Sequence, residues 1–217
     1  MKDDTFRRLI EHGDLDGVRN VLEADPGLAN RTIHWHLNQD NESDPLHFVS
    51  DCVGNGWLTN GAEGEIAELL LTFGAEANGS ADRESPLIAS ASLGAERVST
   101  VLVEAGAELE KTSILGSRAL HWAAWMGSPV TVKLLIAQGA QIEAKDSEFS
   151  ATPLFWAVHG YGPNGPKKKE GQVGAAMMLI EAGANARTMN KQGLSAIELA
   201  NSYDGKDMYQ MLKRYVR

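Results

Sequence analysis

Apolar residues in this chain fall in short helical bursts divided by turns, not in alternating or long continuous runs. The run Leu120-His121-Trp122-Ala123-Ala124 leads to a turn at Gly127-Ser128-Pro129, after which Val132, Leu135 and Ile136 recur at helical spacing. The pattern predicts two short helices joined by a tight turn, the second ended by a left-handed Gly139. The unit recurs. Asp44-Pro45-Leu46-His47, Ser85-Pro86-Leu87-Ile88, Arg118-Ala119-Leu120-His121, Thr152-Pro153-Leu154-Phe155 and Ser195-Ala196-Ile197-Glu198 align, with starts separated by 41, 33, 34 and 43 residues. Gly74-Ala75, Gly106-Ala107, Gly139-Ala140 and Gly183-Ala184 follow the first four. The offset to this Gly is 21 residues in the two short copies and 30 and 31 in the long ones, so the extra residues lie between the two markers.

Each marker has a mechanical reason. Asp44, Ser85 and Thr152 are N-cap types whose side-chain oxygen accepts from an orphan helical N–H. Pro45, Pro86 and Pro153 then take the first helical position, where no N–H is needed. One such unit cannot bury its apolar face alone, so stability must come from stacked neighbours.

These motifs resemble the ankyrin repeat, whose period is about 33 residues and whose helix opens with Thr-Pro-Leu-His. The resemblance covers nearly the whole chain. Gly13 lies nine residues from Asp4, as Gly127 does from Arg118, so an eroded first repeat precedes the five, and residues 195–217 form a truncated last one. The expected fold is all-α: an ankyrin-repeat solenoid of stacked helix-turn-helix units with connecting loops or β-hairpins. It forms a single domain over 1–217, with repeats near 4–43, 44–84, 85–117, 118–151, 152–194 and 195–217.

Composition agrees and adds limits. With 43% hydrophobic and 23% charged residues in 217, the chain is not mainly disordered. Its 27 Ala and 22 Gly suit closely packed helices with many sharp turns. The single Cys52 excludes an internal disulfide framework and fits a reducing compartment. No run approaches the apolar length of a membrane helix, and the first residues lack the pattern of a secretory signal. A monomeric cytoplasmic protein is expected. The net charge of −9 argues against nucleic acid as the main partner. Residues 1–110 carry 7 basic and 21 acidic groups against 13 and 8 in 111–217, which fits a partner with a basic surface. Part of that gradient is end-capping, through Asp3, Asp4, Arg7, Arg8, Glu11, Asp14 and Asp16 at one end and Lys206, Asp207, Lys213, Arg214 and Arg217 at the other.

Three insertions stand out: the hairpin containing His34-Trp35-His36, and inter-helix turns near Gly54–Gly64 and Gly160–Gly171. The last holds Gly160-Tyr161-Gly162-Pro163-Asn164-Gly165, a Gly-x-Gly-x-x-Gly match followed by Pro166-Lys167-Lys168-Lys169. A dinucleotide site needs this turn after a strand, and a phosphate loop needs a Ser or Thr after the lysine, so a solvated basic loop is expected. His34 and His36 are too few for a metal without a third ligand such as His47, Asp51 or Cys52. A small-ligand or metal-dependent site among these five residues is the alternative function. No cofactor is expected. By the resemblance, His47 and His121 are helix-opening histidines that hydrogen-bond to loops.

The resemblance also implies binding through hairpin tips and the exposed side of the first helix of each repeat. Carried over by position, the exposed helix pairs include Asp51/Cys52, Trp125/Met126 and His159/Gly160, and the tips carry Ala81, Asp82, Glu84, Ile114, Leu115 and Phe149. Ile114, Leu115, Trp125, Met126 and Phe149 then form an apolar patch with His159 beside it, while Asp51, Asp82 and Glu84 make the same face acidic. Phe48, Trp122 and Trp156 fall one step away, toward the core. The expected function is a non-enzymatic scaffold that binds a protein partner through the concave face of repeats 3–5.

Overall fold

The structure is a computed structural model that describes residues 2–35, 41–203 and 206–215, the side chains of Lys2 and Asp3 excepted. The chain divides into two compact units, Met1–Glu108 and Leu109–Arg217. The first holds helices α1 (Lys2–Glu11) and α2 (Leu15–Ala24), a short 3-10 turn (Pro26–Asn30), and an antiparallel hairpin of β1 (Ile33–Trp35) and β2 (Asn41–Ser43). Helices α3 (Pro45–Gly54), α4 (Glu63–Thr72), α5 (Pro86–Leu93) and α6 (Glu96–Glu104) follow. The second holds α7 (Ala119–Met126), α8 (Pro129–Ala137), α9 (Pro153–Tyr161), α10 (Lys169–Glu181), α11 (Ala196–Ser202) and α12 (Lys206–Tyr215). The architecture is all-α, made of paired short helices.

Helix starts follow the expected chemistry at Ser85, Thr152 and Ser195, whose hydroxyls accept from the backbone N–H three residues on. Asp44 departs from it. Its carboxylate accepts instead from the Ser80 N–H at 2.6 Å and the Ser80 hydroxyl at 2.9 Å, tying the next loop to the start of α3. Arg118 has no capping oxygen, and the side-chain bond at this helix start runs the other way, His121 Nδ1 accepting from the Arg118 N–H at 3.1 Å. Gly139, with φ of 91°, ends α8 in a region that a side chain would strain.

Each unit has its own core. Phe6, Leu22, Phe48, Ile66, Leu87 and Leu102 are buried in the first, and Leu120, Leu135, Leu154, Leu179 and Leu212 in the second. Gly160 lets α9 approach α7 closely: a Cβ there would strike the Trp125 carbonyl oxygen. The insertions are not free loops. In the first unit the Asn60 amide donates to the Gly13 carbonyl at 3.1 Å, and Trp57 packs edge-on against Trp35 of the hairpin with centroids 5.5 Å apart. In the second, α10 starts at Lys169, ahead of Gly171, and runs 13 residues, so part of the expected loop is helix. Among end-capping residues, the side chain of Asp3 and all of Arg217 lie outside the described set.

Candidate functional site

Three helices of the second unit face one cavity, two of them through the same two positions and the third through one. Counted from Arg118, Thr152 and Ser195, the fourth residue is Trp122, Trp156 or Leu199, and the seventh is Trp125 or His159 in the first two. Positions i and i+3 share a helix face, so α7 and α9 each offer a two-residue stripe and α11 offers Leu199 alone. Phe149, Ala151, Phe155, Asn190, Gln192 and Leu194 close the remainder, enclosing about 460 Å³. The indoles meet edge to face: Trp122 lies 5.0 Å from Trp156 at 76° and 6.0 Å from Trp125 at 88°, with no stacked sandwich between them.

The loops beside the groove are built on one polar residue each. Ser113 Oγ accepts from the Leu115 N–H at 3.2 Å, and Asn190 Oδ1 accepts from the N–H groups of Gln192 and Leu194, both at 3.0 Å. Buried Asp146 accepts from Phe149 N–H at 2.6 Å, Ala151 N–H at 3.1 Å and Trp156 Nε1–H at 2.9 Å. These are side-chain turns in which a short polar group substitutes for backbone acceptors. The loops close as Ser113 N–H to Ser117 O, Asp146 N–H to Ala151 O and Asn190 N–H to Leu194 O, so the Asp146 loop is a residue longer. The 34-residue spacing from Arg118 to Thr152 places its extra residue there, and Ser150 takes a positive φ of 51° to accommodate it. The loops are also joined in series: Ser147 N–H donates to Leu115 O at 3.1 Å and Lys191 N–H to Phe149 O at 2.8 Å.

His121 secures this construction from below. It is fully buried, its Nε2–H directed at Ala144 O (3.1 Å) and Ala151 O (3.2 Å), and its ring lies edge-on to Trp156 at 5.6 Å. Because Nδ1 accepts, the proton belongs on Nε2. Burial depresses its pKa to about 4, with Asp146 opposing the shift, so the ring is neutral at pH 7.

The expected residues separate on this frame. Trp125, Phe149 and His159 line the groove, with Phe149 43% exposed. Ile114 is 100% exposed at the neighbouring loop tip and Leu115 half-buried behind it; neither lines the cavity, and nor does half-buried Met126. Asp82 and Glu84 are exposed residues of the first unit. Gly160, paired with His159 as exposed, is buried against Trp125. Asp51 and Cys52 were likewise expected at the surface, and both are buried. Asp51 turns inward to accept from Ser43 Oγ–H at 2.8 Å, and that same hydroxyl accepts from Trp35 Nε1–H at 2.9 Å. Sequence reasoning placed Trp122 and Trp156 toward the core and left out Phe155, Asn190, Gln192, Leu194 and Leu199. The fourth-residue offset from Arg118, Thr152 and Ser195 finds Trp122, Trp156 and Leu199, and no such repeat offset marks the others.

Among the described residues the alternative site in the first unit does not assemble. Asp51 stands between Ser43 and His47, whose Nε2 is 3.7 Å from Oδ1, so the serine proton goes to the carboxylate and no histidine reaches the hydroxyl. Burial raises the Asp51 pKa, His47 opposing it. His34 is exposed and faces Glu42 across the hairpin at 3.3 Å; His36 lies outside the described residues. Among the described residues no three His, Cys, Asp or Glu side chains gather to hold a metal. The Gly-x-Gly-x-x-Gly segment follows helix α9, not a strand, and Lys167, Lys168 and Lys169 are exposed. Among the described residues no helix is long and apolar enough to cross a membrane.

A family model described as ankyrin repeats, in three copies, matches residues 57–146. Palmitoyltransferase Hip14 of Drosophila melanogaster is 31% identical over 98 residues, covering 45% of this chain and 14% of that protein. Human palmitoyltransferase ZDHHC13 is 29% identical over 99 residues, covering 46% and 14%. The chicken (Gallus gallus) nuclear factor NF-kappa-B p105 subunit is 26% identical over 203 residues, covering 91% of this chain and 19% of that subunit. The chain thus spans less than a fifth of the length of each of these relatives.

Proposed function

We propose that this chain, whose residues 57–146 match three ankyrin repeats, is a non-enzymatic binding module whose second unit docks a protein partner in the aromatic groove. Ankyrin repeats generally mediate protein–protein interaction, and one observation supports this choice of surface. Trp122, Trp125, Trp156, Phe149 and Phe155 converge on a cavity of about 460 Å³. Buried aromatic anchors at the centre of a contact carry most of its binding free energy. The walls are already ordered by the Asp146 and His121 bonds, so little conformational freedom is lost when a partner seats. Fully exposed Ile114, linked to this loop series through Leu115, extends the contact beyond the cavity.

The test is affinity capture from the source cell with wild-type protein and the Trp125→Ala/Phe149→Ala variant, followed by calorimetry on the retained partner. The double variant keeps its helical circular dichroism and binds at least about 2 kcal/mol more weakly, roughly thirtyfold. Equal affinity of both proteins removes the groove from the interface.

A further inference from the structure

We infer that the groove of the second unit receives a methylated ammonium cation, the trimethylated side chain of a lysine on the protein partner. The inference rests on the proposed function and specifies its chemistry. Five of the lining residues are Trp or Phe and none is Lys or Arg. Aromatic faces carry negative quadrupole density, and indole attracts a cation most strongly.

The wall is electronically biased as well. Trp156 donates its indole N–H to the Asp146 carboxylate at 2.9 Å, which moves electron density into the ring. Asp146 is itself buried and does not line the cavity, so its charge acts through the indole and not by direct pairing with a ligand.

Hydrogen-bond accounting then selects among cations. Asn190 Oδ1 already accepts two backbone N–H groups, and Gln192 Oε1 accepts from Asn190 Nδ2 at 3.2 Å. The Trp125 carbonyl accepts from Gln172 at 3.0 Å, and both Asp146 oxygens are engaged. An ammonium or guanidinium would bring several N–H donors into a groove where these oxygens are taken and, of the lining side chains, only the His159 ring offers a further acceptor, leaving most of the donors desolvated and unpaired. A trimethylammonium has no donors, presents methyl groups to apolar walls, and keeps its charge for the ring faces.

The experiment uses the full chain labelled with nitrogen-15 and follows the five indole N–H signals. The probes are N-acetyl-trimethyllysine methylamide, its neutral analogue with tert-butyl in place of trimethylammonium, and the unmodified lysine derivative. The signals of Trp122, Trp125 and Trp156 should shift saturably with the first probe, while those of Trp35 and Trp57 stay fixed. The other two probes should bind at least about fivefold more weakly. Equal binding of the tert-butyl analogue overturns the cation and leaves an apolar groove; equal binding of lysine overturns the methylation. Absence of any shift overturns the inference altogether. Trp125→Leu with Phe149→Leu keeps apolar walls while removing two ring faces, so the preference for the charged probe should vanish; its persistence would place the site elsewhere. Partner capture that depends on Trp125 and Phe149 without cation binding leaves the docking groove standing and sinks only this inference.

Discussion

Trp156 Nε1–H donates to Asp146 Oδ2 at 2.9 Å, whereas Trp122, at the same offset from the start of the preceding repeat, holds its Nε1–H buried without an acceptor. The repeat equivalent of Asp146 on the Trp122 side is Ser113, whose shorter side chain is engaged by Ser117 Oγ and Leu115 N–H. One loop residue thus decides whether the indole behind it is anchored.

Trp156→Phe should therefore cost more stability than Trp122→Phe, although both remove the same atoms. The first breaks a hydrogen bond to a buried carboxylate; the second removes a donor that had no partner. The expected difference is about 1–2 kcal/mol in urea unfolding, read by circular dichroism. Equal midpoints for the two variants would show that the Asp146 bond contributes nothing.

Where the sequence was legible, the reason was backbone chemistry. Pro at the first helical position and Gly beyond the second helix stand where their φ angles are needed, so Pro153 and Gly139 could be placed without coordinates. The groove was legible in part, because Trp125 and His159 lie seven residues from their N-caps. Asp51 shares that offset from Asp44 yet is buried, since the hairpin brings the Ser43 hydroxyl onto its carboxylate. Repeat position alone does not carry that difference; the local insertion does. Trp122 and Trp156 were harder for another reason. An indole at the edge of a core is wide enough to fill it on one side and line a cavity on the other, as Trp156 does at 8% exposure.

Ser150→Gly should stabilise the protein. Its φ of 51° lies in the left-handed region, which costs a side chain of this kind about 1–2 kcal/mol. Glycine removes the clash but loses more chain entropy on folding, so the expected gain is about 0.5–1 kcal/mol, a rise of a few degrees in Tm. Ser150→Val should move Tm the other way. A fall in Tm for the glycine variant would show that the loop holds no such strain.

Cys52 should be inert in the folded protein. Burial pushes its thiol pKa well up, with the carboxylates of Glu11 and Asp51 adding to the shift. The thiolate is the reacting form, so iodoacetamide at pH 8 should leave the native chain unmodified and label it fully in urea, as mass spectrometry would register. Native labelling at the rate of a free thiol would place Cys52 at the surface.

His121 should make stability fall between pH 6.5 and 4. Its pKa is about 4 in the folded protein because burial disfavours the cation, against an ordinary value of 6.5. Above pH 6.5 the ring is neutral in both folded and unfolded chains, and its stabilising contribution is complete. As pH falls through 6.5 the unfolded chain takes up a proton that the native ring refuses, and stability declines until about pH 4, where both states are charged. The contribution lost across that window is on the order of 3 kcal/mol. His121→Gln keeps a donor for the Ala144 and Ala151 carbonyls but cannot titrate. It should be less stable at pH 7.5, through an imperfect fit, yet lose less stability on acidification. Urea unfolding of both proteins at pH 7.5, 6, 5 and 4.5 separates this from the carboxylates, which titrate alike in each. Within the window the two stability curves should differ in slope by about one proton. Parallel curves would mean that His121 is protonated in the folded state, and that the Ala144 and Ala151 carbonyls stabilise an imidazolium rather than a neutral ring.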